Sequence, residues 1–211
     1  QSEVHWRWRL REGLRIRLRS GLRAHNDSVD RVKSEQAYQL TSGQLRTLEE
    51  GMLAVGSKHL WTRALSAHAL TEFAWNKRLW VTPGVRSESI VSSLTNTMTL
   101  ARDPERTQQV LLPGIGVFWK PGKAPFGLLA GAHRGFSPVA PGQDALVRPE
   151  QANNFEAGLR WFHPAHRLEL IGFFNDYENL TGRCTQSQGC GEDQINEEFN
   201  GGAVAIYGLE A

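Results

Sequence analysis

The segment Leu-Arg-Ile-Arg-Leu-Arg-Ser-Gly-Leu-Arg at residues 14–23 alternates apolar and basic side chains. The same alternation fills Val-His-Trp-Arg-Trp-Arg-Leu at residues 4–10 just before it. A period of two places successive side chains on opposite faces of a β-strand, whereas a helix would scatter them around its surface. The two segments therefore predict neighbouring strands, each with one apolar and one basic face, joined by a tight turn at Glu12 and Gly13.

The basic face of this strand pair cannot lie in a protein core without water. Guanidinium groups on adjacent strands repel each other, so that face must meet water or acidic partners. In a soluble β-sandwich it would be the outer surface, whereas in a membrane barrel it would face the lumen and the leucines would meet lipid. The face carries Arg7, Arg9, Arg15, Arg17, Arg19 and Arg23.

Composition narrows the function classes. Among 211 residues, 24 are Lys or Arg and 22 are Asp or Glu, a balance that argues against a nucleic-acid binder. No run approaches the ~18 consecutive apolar residues of a membrane helix, so any membrane contact must use strands. The chain begins with Gln1 and shows no export signal, and we expect that the signal was removed or that the start is missing.

The alternating pattern recurs along the chain and predicts nine strands. Short turns near 11–13, 76–77, 120–125 and 164–165 alternate with long polar connections over 26–58, 95–106, 137–149 and 181–197, the first with room for a hairpin near Tyr38. This alternation is typical of an outer-membrane barrel and not of a sandwich. The fold class is therefore all-β, an antiparallel transmembrane barrel wall. The strands lie near 3–10, 13–25, 60–75, 78–93, 107–120, 124–136, 150–163, 166–180 and 198–211.

Aromatic residues gather where the short turns meet the strands. This placement predicts an aromatic girdle at the periplasmic interface of the membrane, and the alternative is an ordinary aromatic core. The predicted girdle contains Trp75, Trp80, Phe118, Trp119, Phe126, Trp161 and Phe162.

The two cysteines lie six residues apart in a segment rich in Gly, Gln and Ser. Cys184 and Cys190 suit a small disulfide-closed loop in an oxidising compartment. A metal-bound or free pair is the alternative, which the lack of a nearby His or further Cys disfavours.

No other pattern predicts a catalytic, metal or cofactor site. No nucleophile stands on a sharp turn and no paired-acid cleft is indicated, so we expect no enzyme activity. The histidines lack metal-ligand spacing, the acidic pair near residue 28 lacks the pattern of a calcium loop, and one glycine pair lacks the third glycine of a dinucleotide site. These residues are His25, His59, His68, His133, Asp27, Asp30, Gly114 and Gly116.

Five segments, in order, resemble the TonB-dependent receptors. They are Thr-Pro-Gly-Val-Arg-Ser-Glu at 82–88, Pro-Gly-Ile-Gly at 113–116, the run from Pro149 to Arg160, Phe-Phe-Asn-Asp-Tyr-Glu-Asn-Leu at 173–180, and the strand from Asn200 to Glu210. Residues 78–211 carry these motifs, and the cysteine loop looks most like the ferric-dicitrate branch. The motif positions are Pro83, Gly84, Arg86, Glu88, Pro149, Glu150, Glu156, Gly158, Arg160, Asp176, Tyr177, Asn179, Gly208 and Glu210.

The resemblance implies a multi-pass receptor in the Gram-negative outer membrane that imports an iron chelate, ferric citrate or another siderophore. Its implied partners are the chelate, outer-membrane lipid and the TonB complex acting through a plug domain, with no cofactor and no nucleic acid. Residues 1–211 would be a partial barrel domain without plug or signal peptide, an internal fragment, because about nine strands cannot close a receptor-sized barrel.

Alternatives remain at this point. A passive porin-like barrel or a soluble β-sandwich binding module would share much of the strand pattern. For the six arginines, pairing with acids on a plug or on adjacent strands is the alternative to contact with the ligand.

Overall fold

The computed structural model describes residues 2–11, 13–36, 38–47, 53–191, 195 and 198–211. Gln1 lies outside the described residues, and so does Glu12 of the turn predicted between the first two strands. The described residues form one nine-stranded antiparallel sheet and two two-stranded ribbons. The strands are β1 (Ser2–Arg11), β2 (Leu14–Glu35), β3 (Tyr38–Thr41), β4 (Gln44–Thr47), β5 (Leu53–Trp75), β6 (Leu79–Asn96), β7 (Arg106–Trp119), β8 (Phe126–Ser137), β9 (Glu150–Phe162), β10 (Arg167–Glu178), β11 (Thr181–Arg183), β12 (Glu198–Asn200) and β13 (Val204–Glu210).

The large sheet runs in the order β1-β2-β5-β6-β7-β8-β9-β10-β13, a meander in chain order once the ribbons β3–β4 and β11–β12 are set aside. Within the described residues β1 and β13 do not pair, so the sheet is an open wall. Sequence periodicity predicted this all-β antiparallel wall, and the prediction is confirmed. No helix among the described residues is long and apolar enough to cross a membrane.

The strands β2 and β5 are longer than predicted. They pair from Leu14 opposite Trp75 up to Glu35 opposite Leu53, so much of the stretch predicted as a loop over 26–58 is strand. Polar residues suggested a loop, but a ladder of backbone hydrogen bonds needs no apolar face where both faces meet water. The hairpin near Tyr38 is present as β3 and β4.

Register divides the sheet into two faces, which we call outward and inner. Trp6 pairs with Leu18, and the same outward face continues through Phe73 of β5. Leu168 is 62% exposed and Leu209 is 77% exposed on this face. No second sheet of the described residues covers it, which argues against a soluble sandwich. The apolar stripe therefore fits contact with lipid.

The height of this stripe matches a membrane. On β5 the outward residues from Leu65 to Trp75 are apolar or small, and they span about 33 Å of strand. At a tilt of about 40° that length covers about 25 Å, the height of the apolar band of an outer-membrane barrel. We call these residues and their neighbours at the same level the apolar belt.

The predicted aromatic girdle is wrong for three of its seven residues. Register places Trp75, Trp119, Phe126 and Trp161 on the outward face. Trp75 pairs with Leu79, so Trp80 lies on the inner face. The inner aromatic rings pack on one another instead of meeting lipid, with ring centroids 5.5 Å apart for Trp80 and Phe118 and 6.3 Å apart for Phe118 and Phe162.

Candidate functional site

The six arginines predicted from alternation lie on one continuous inner face of β1 and β2, which we call the basic wall. Arg7 pairs with Arg17, and Arg9 with Arg15, in the register of the two strands. Like charges directly opposite each other destabilise a sheet pair unless solvent or an anion compensates them. The positive charge of the basic wall must therefore be compensated by solvent or by an anion.

Acidic side chains of the described residues compensate little of this charge. Arg17 Nε lies 3.4 Å from Glu72 Oε1 on β5. For the other five arginines, no carboxylate within the described ranges lies at ion-pair distance. Pairing with acids on adjacent strands thus accounts for one arginine of the six. The remaining positive charge is available to an anion or to an acidic partner.

A small cavity of 200 Å³ opens on the basic wall. It lies where the three strands β1, β2 and β5 meet. Guanidinium groups present several donors in a planar fork, which matches the geometry of carboxylates. The cavity could therefore hold a carboxylate group. Its inner-face lining is His5, Arg7, Arg17, Arg19, Leu70 and Glu72.

The basic wall extends through the depth of the membrane. Arg15 lies next to the turn that joins β1 to β2, and Arg23 lies eight residues further along β2. At ~3.3 Å per residue and a tilt of about 40° this separation is about 20 Å of height. The wall is therefore a vertical track and not a single site at one level.

A second sector of the inner face is covered by the chain itself. The loop of residues 138–149 between β8 and β9, here called the crossing loop, lies against β6 and β7. The Arg106 guanidinium donates hydrogen bonds to the carbonyls of Gln143, Asp144 and Ala145 at 3.4, 3.0 and 3.3 Å, and also to the carbonyl of Val147. One half-buried side chain thus satisfies four loop carbonyls.

Gln108 fixes the start of the crossing loop. Its Nε2 donates to the Val139 carbonyl at 3.1 Å, and its Oε1 accepts from the Val139 amide at 2.9 Å. Val139 and Val147 are 5% and 6% exposed, and Ile90 and Leu94 of β6 are buried as well. The sequence predicted an exposed polar loop over 137–149, which is wrong for these residues. The signal it overlooked was two valines in a loop rich in Pro.

The far side of the crossing loop is tied to the last strands. Asn200 Oδ1 accepts from the Arg148 amide at 2.8 Å, and its Nδ2 donates to the Arg148 and Asn179 carbonyls at 2.9 and 3.0 Å. Gln143 Oε1 accepts from the Glu198 amide at 2.9 Å. The loop therefore bridges the inner face from β7 to β12.

The cysteines lie beside this anchor. Cys184 and Cys190 are joined by a disulfide, with Cα atoms 5.9 Å apart. The disulfide closes a loop that contains one 3-10 turn, Gln186–Gln188, and it follows the β11 strand that pairs with β12. The acidic residues Glu192, Asp193 and Glu197 of the same connection lie outside the described residues.

Several motif positions have architectural contacts. A Cβ on Gly158 would lie 2.3 Å from the Leu170 carbonyl oxygen, and a Cβ on Gly208 would lie 2.7 Å from Cζ of Phe173. Glu150 Oε1 accepts from the Thr181 amide at 2.6 Å. The two glycines leave no room for a side chain, and the Glu150 hydrogen bond joins β9 to β11, so these residue types suit their positions without any ligand.

Other motif positions form ion pairs on the inner face. Arg160 Nε and Nη2 donate to the two Glu169 carboxylate oxygens at 2.9 and 2.7 Å. Arg86 Nε lies 2.5 Å from Glu88 Oε1. Among the remaining motif positions, register places Pro83 and Asp176 on the outward face. Pro149 immediately precedes β9, and Asn179 immediately follows β10. The positions on the inner face are Gly84, Glu156, Tyr177 and Glu210.

Glycines open a depression of 590 Å³ in the inner face between these charged clusters. His68, His133 and Arg86 contribute to its lining, and its backbone floor includes Gly114 and Gly116. Within the part of the chain that the structure describes, no group of three or more His, Cys, Asp or Glu could hold a metal ion.

Comparison with known proteins identifies a matching family. A family model described as TonB dependent receptor-like, beta-barrel, matches residues 7–211. The ferric citrate transporter FecA in the unliganded form aligns with a TM-score of 0.74 and 21% identity over 98% of this chain and 30% of that chain. No curated protein sequence matches the chain.

Two further solved structures align at lower identity. The ferric-catecholate import receptor Fiu from K12 E. coli aligns with a TM-score of 0.66 and 10% identity over 98% of this chain and 33% of that chain. The hemophore receptor HasR of Serratia marcescens, in complex with HasA and heme, aligns with a TM-score of 0.67 and 15% identity over 98% of this chain and 37% of that chain. The chain thus spans between 30% and 37% of the length of these three structures. Likeness at such identities shows a shared fold.

Proposed function

We propose, because this chain belongs to the TonB-dependent receptor β-barrel family, that it forms part of the wall of a receptor importing an anionic iron chelate. Members of the family are Gram-negative outer-membrane barrels and transporters, not enzymes. The resemblance found in the motifs is thereby confirmed. Import of an iron chelate, and which chelate, is our proposal.

The observation that carries the proposal is the surplus positive charge of the basic wall. Five of its six arginines have no acidic partner among the described residues. A lumen lined by one sign of charge raises the local concentration of ligands of the opposite sign. Ferric citrate carries carboxylates that suit bidentate contact with guanidinium groups, so it is the chelate we propose first.

The vertical extent of the basic wall suggests that its arginines act at different levels of the barrel. Arg23 lies near the upper edge of the apolar belt, where an incoming anion would arrive first. Arg15 and Arg17 lie near the periplasmic turn, where they suit either a moving chelate or acidic residues of a plug domain. We propose that the TonB complex acts through such a plug to expose this lower track.

The test is uptake of radiolabelled ferric citrate by cells that produce the full-length receptor. Arg19→Glu combined with Arg23→Glu should lower uptake at limiting chelate about tenfold or more, because the steering charge is reversed. The double Lys variant should keep most of the activity. The matched control is Arg134→Glu, which reverses an outward-facing arginine on β8. Equal uptake by the reversed and control variants, at equal surface amounts, would overturn the proposal.

Energy coupling separates this proposal from a passive porin. Loss of the TonB complex should abolish uptake while chelate binding to whole cells persists. Uptake that continues without TonB at the same rate would favour a passive channel.

A further inference from the structure

A polar cleft of 530 Å³ opens near the upper edge of the apolar belt, away from the basic wall. Its strand residues come from β2, β5 and β6, and its roof comes from the connection between β6 and β7. The cleft combines cationic, acidic, amide and aromatic side chains. Among its lining residues are Asn26, His59, Trp61, Arg63, Arg102 and Glu105.

Register shows that the strand residues of this cleft, apart from Asp27, face outward. Trp61 and Arg63 continue the alternation that places Leu65 on the outward face. Arg63 pairs with Asn26 on one side and with Val91 on the other, and both belong to the same face. The cleft is therefore turned away from the lumen, towards the surrounding membrane.

The height of the cleft coincides with lipid head groups. Leu65 ends the apolar belt, and Arg63 lies two residues above it. Two residues of a tilted strand rise about 5 Å, and Trp61 lies about 10 Å above the belt edge. The polar head-group region of a bilayer is about 5–8 Å thick on each side. Arg63 thus lies among the head groups of the outer leaflet, and Trp61 lies at their outer edge.

Arg63 is held in place but retains donors. Its Nε lies 3.4 Å from Asn26 Oδ1, and its guanidinium carbon lies 5.2 Å from the centre of the Trp61 ring. No carboxylate of the described ranges lies at ion-pair distance from it. The Nη atoms are consequently available to a phosphate, for which a guanidinium fork is well shaped.

Two other charged or titratable groups of the cleft have close carboxylate partners, whereas Asp27, which also lines it, has no ion pair among the described residues. Arg102 Nη2 lies 2.6 Å from Glu105 Oε1, and His59 Nδ1 lies 2.6 Å from Asp30 Oδ1. Carboxylates beside a phosphate site would oppose a simple anion, but they accept hydrogen bonds from sugar hydroxyls. The mixture favours a ligand that carries both phosphate and hydroxyl groups.

We propose that this cleft binds the phosphorylated saccharide head group of lipopolysaccharide, the outer-leaflet glycolipid. Arg63 contacts a phosphate, while Asn26 and the acidic side chains contact hydroxyls of the sugar. Trp61 packs at the interface, where aromatic residues are favoured.

Binding is tested on the full-length receptor purified from outer membranes in mild detergent. The probes are bisphosphorylated lipid A, dephosphorylated lipid A, phosphatidylglycerol and inorganic phosphate, each titrated and followed by native mass spectrometry or, for phosphate, calorimetry. Lipid A should bind most tightly. Arg63→Gln should weaken it about tenfold, the effect expected from loss of a charge-assisted hydrogen bond.

The matched control is Arg134→Gln, an outward arginine on β8 that does not line the cleft. Heat-modifiable migration on gels checks that each variant is folded. Equal lipid A affinity in wild type and Arg63→Gln would overturn the site. Equal affinity for dephosphorylated lipid A would overturn the phosphate contact, and equal affinity for phosphatidylglycerol would overturn the saccharide specificity. None of these measurements involves the iron chelate, so they do not depend on the proposed function.

Discussion

Two sectors of the inner face differ in what covers them. In the sector of the crossing loop, Ile90 and Leu94 of β6 and Val139 and Val147 of the loop are all buried. On the basic wall the arginines of β1 are exposed, and no segment of the described chain lies over them. The chain covers the first sector with its own loop and leaves the basic wall open.

The difference follows from the free energy of burial. Apolar side chains gain from contact with a loop whose carbonyls find donors in Arg106 and Gln108. Unpaired guanidinium groups would lose hydration under the same cover. The basic wall must therefore be compensated by water, by a ligand or by a domain outside these residues.

The largest expected effect is in the covered sector, at Arg106. Arg106→Ala removes donors to four loop carbonyls, and hydrogen bonds to charged groups contribute about 1.5–3 kcal/mol each without full additivity. We expect amide exchange across residues 138–149 to accelerate on the order of 100-fold. Hydrogen exchange with mass spectrometry on the full-length receptor measures this. Arg78→Ala, in an exposed turn, is the control. Unchanged amide protection in Arg106→Ala would show that contacts other than those of Arg106 hold the crossing loop.

Gln108→Leu should have the next largest effect. The change leaves both polar backbone groups of Val139 buried without their partner, at a cost of about 2–3 kcal/mol. Its neighbour Gln109 faces outward and is exposed, so Gln109→Leu is a matched control on the same strand. Urea unfolding followed by tryptophan fluorescence should separate the two variants. Equal midpoints would contradict the buried pairing with Val139.

A pair of glycines tests how closely neighbouring strands of the sheet approach each other. Gly158→Ala would place a Cβ against the Leu170 carbonyl, whereas Gly116→Ala meets no atom within 4 Å. We expect a loss of about 2 kcal/mol for the first variant, because backbone must move, and little change for the second. Thermal denaturation in detergent compares them. A harmless Gly158→Ala would remove the architectural explanation of this motif position.

The smallest effects are expected on the basic wall itself. Arg9→Gln removes one member of a like-charge pair with Arg15 and should raise stability by about 0.5 kcal/mol. Arg17→Gln loses the contact with Glu72, and it should lower stability by at most about 1 kcal/mol because the pair is exposed. Urea midpoints at low salt compare the two. A clear loss of stability in Arg9→Gln would reveal an acidic partner that the described residues do not supply.

The sequence predicted strand order and face from local alternation. Arg7 to Arg23 were assigned to one face correctly, because a period of two needs no knowledge of the partner strands. The inward turn of Trp80 was missed, because the face of each strand depends on the number of residues in the preceding turn. The role of Arg106 and Gln108 in anchoring the crossing loop was missed as well, because their partners lie more than thirty residues away in a loop.

By itself the sequence determined that this protein is an antiparallel membrane wall with an apolar outward stripe and a basic inner one, since side-chain direction follows from strand geometry. Tertiary structure decided which inner residues are covered, where the crossing loop is anchored, and that Asn26, Trp61 and Arg63 share an outward cleft with Arg102. These contacts join distant segments through register and loop path, which no local pattern of residues specifies.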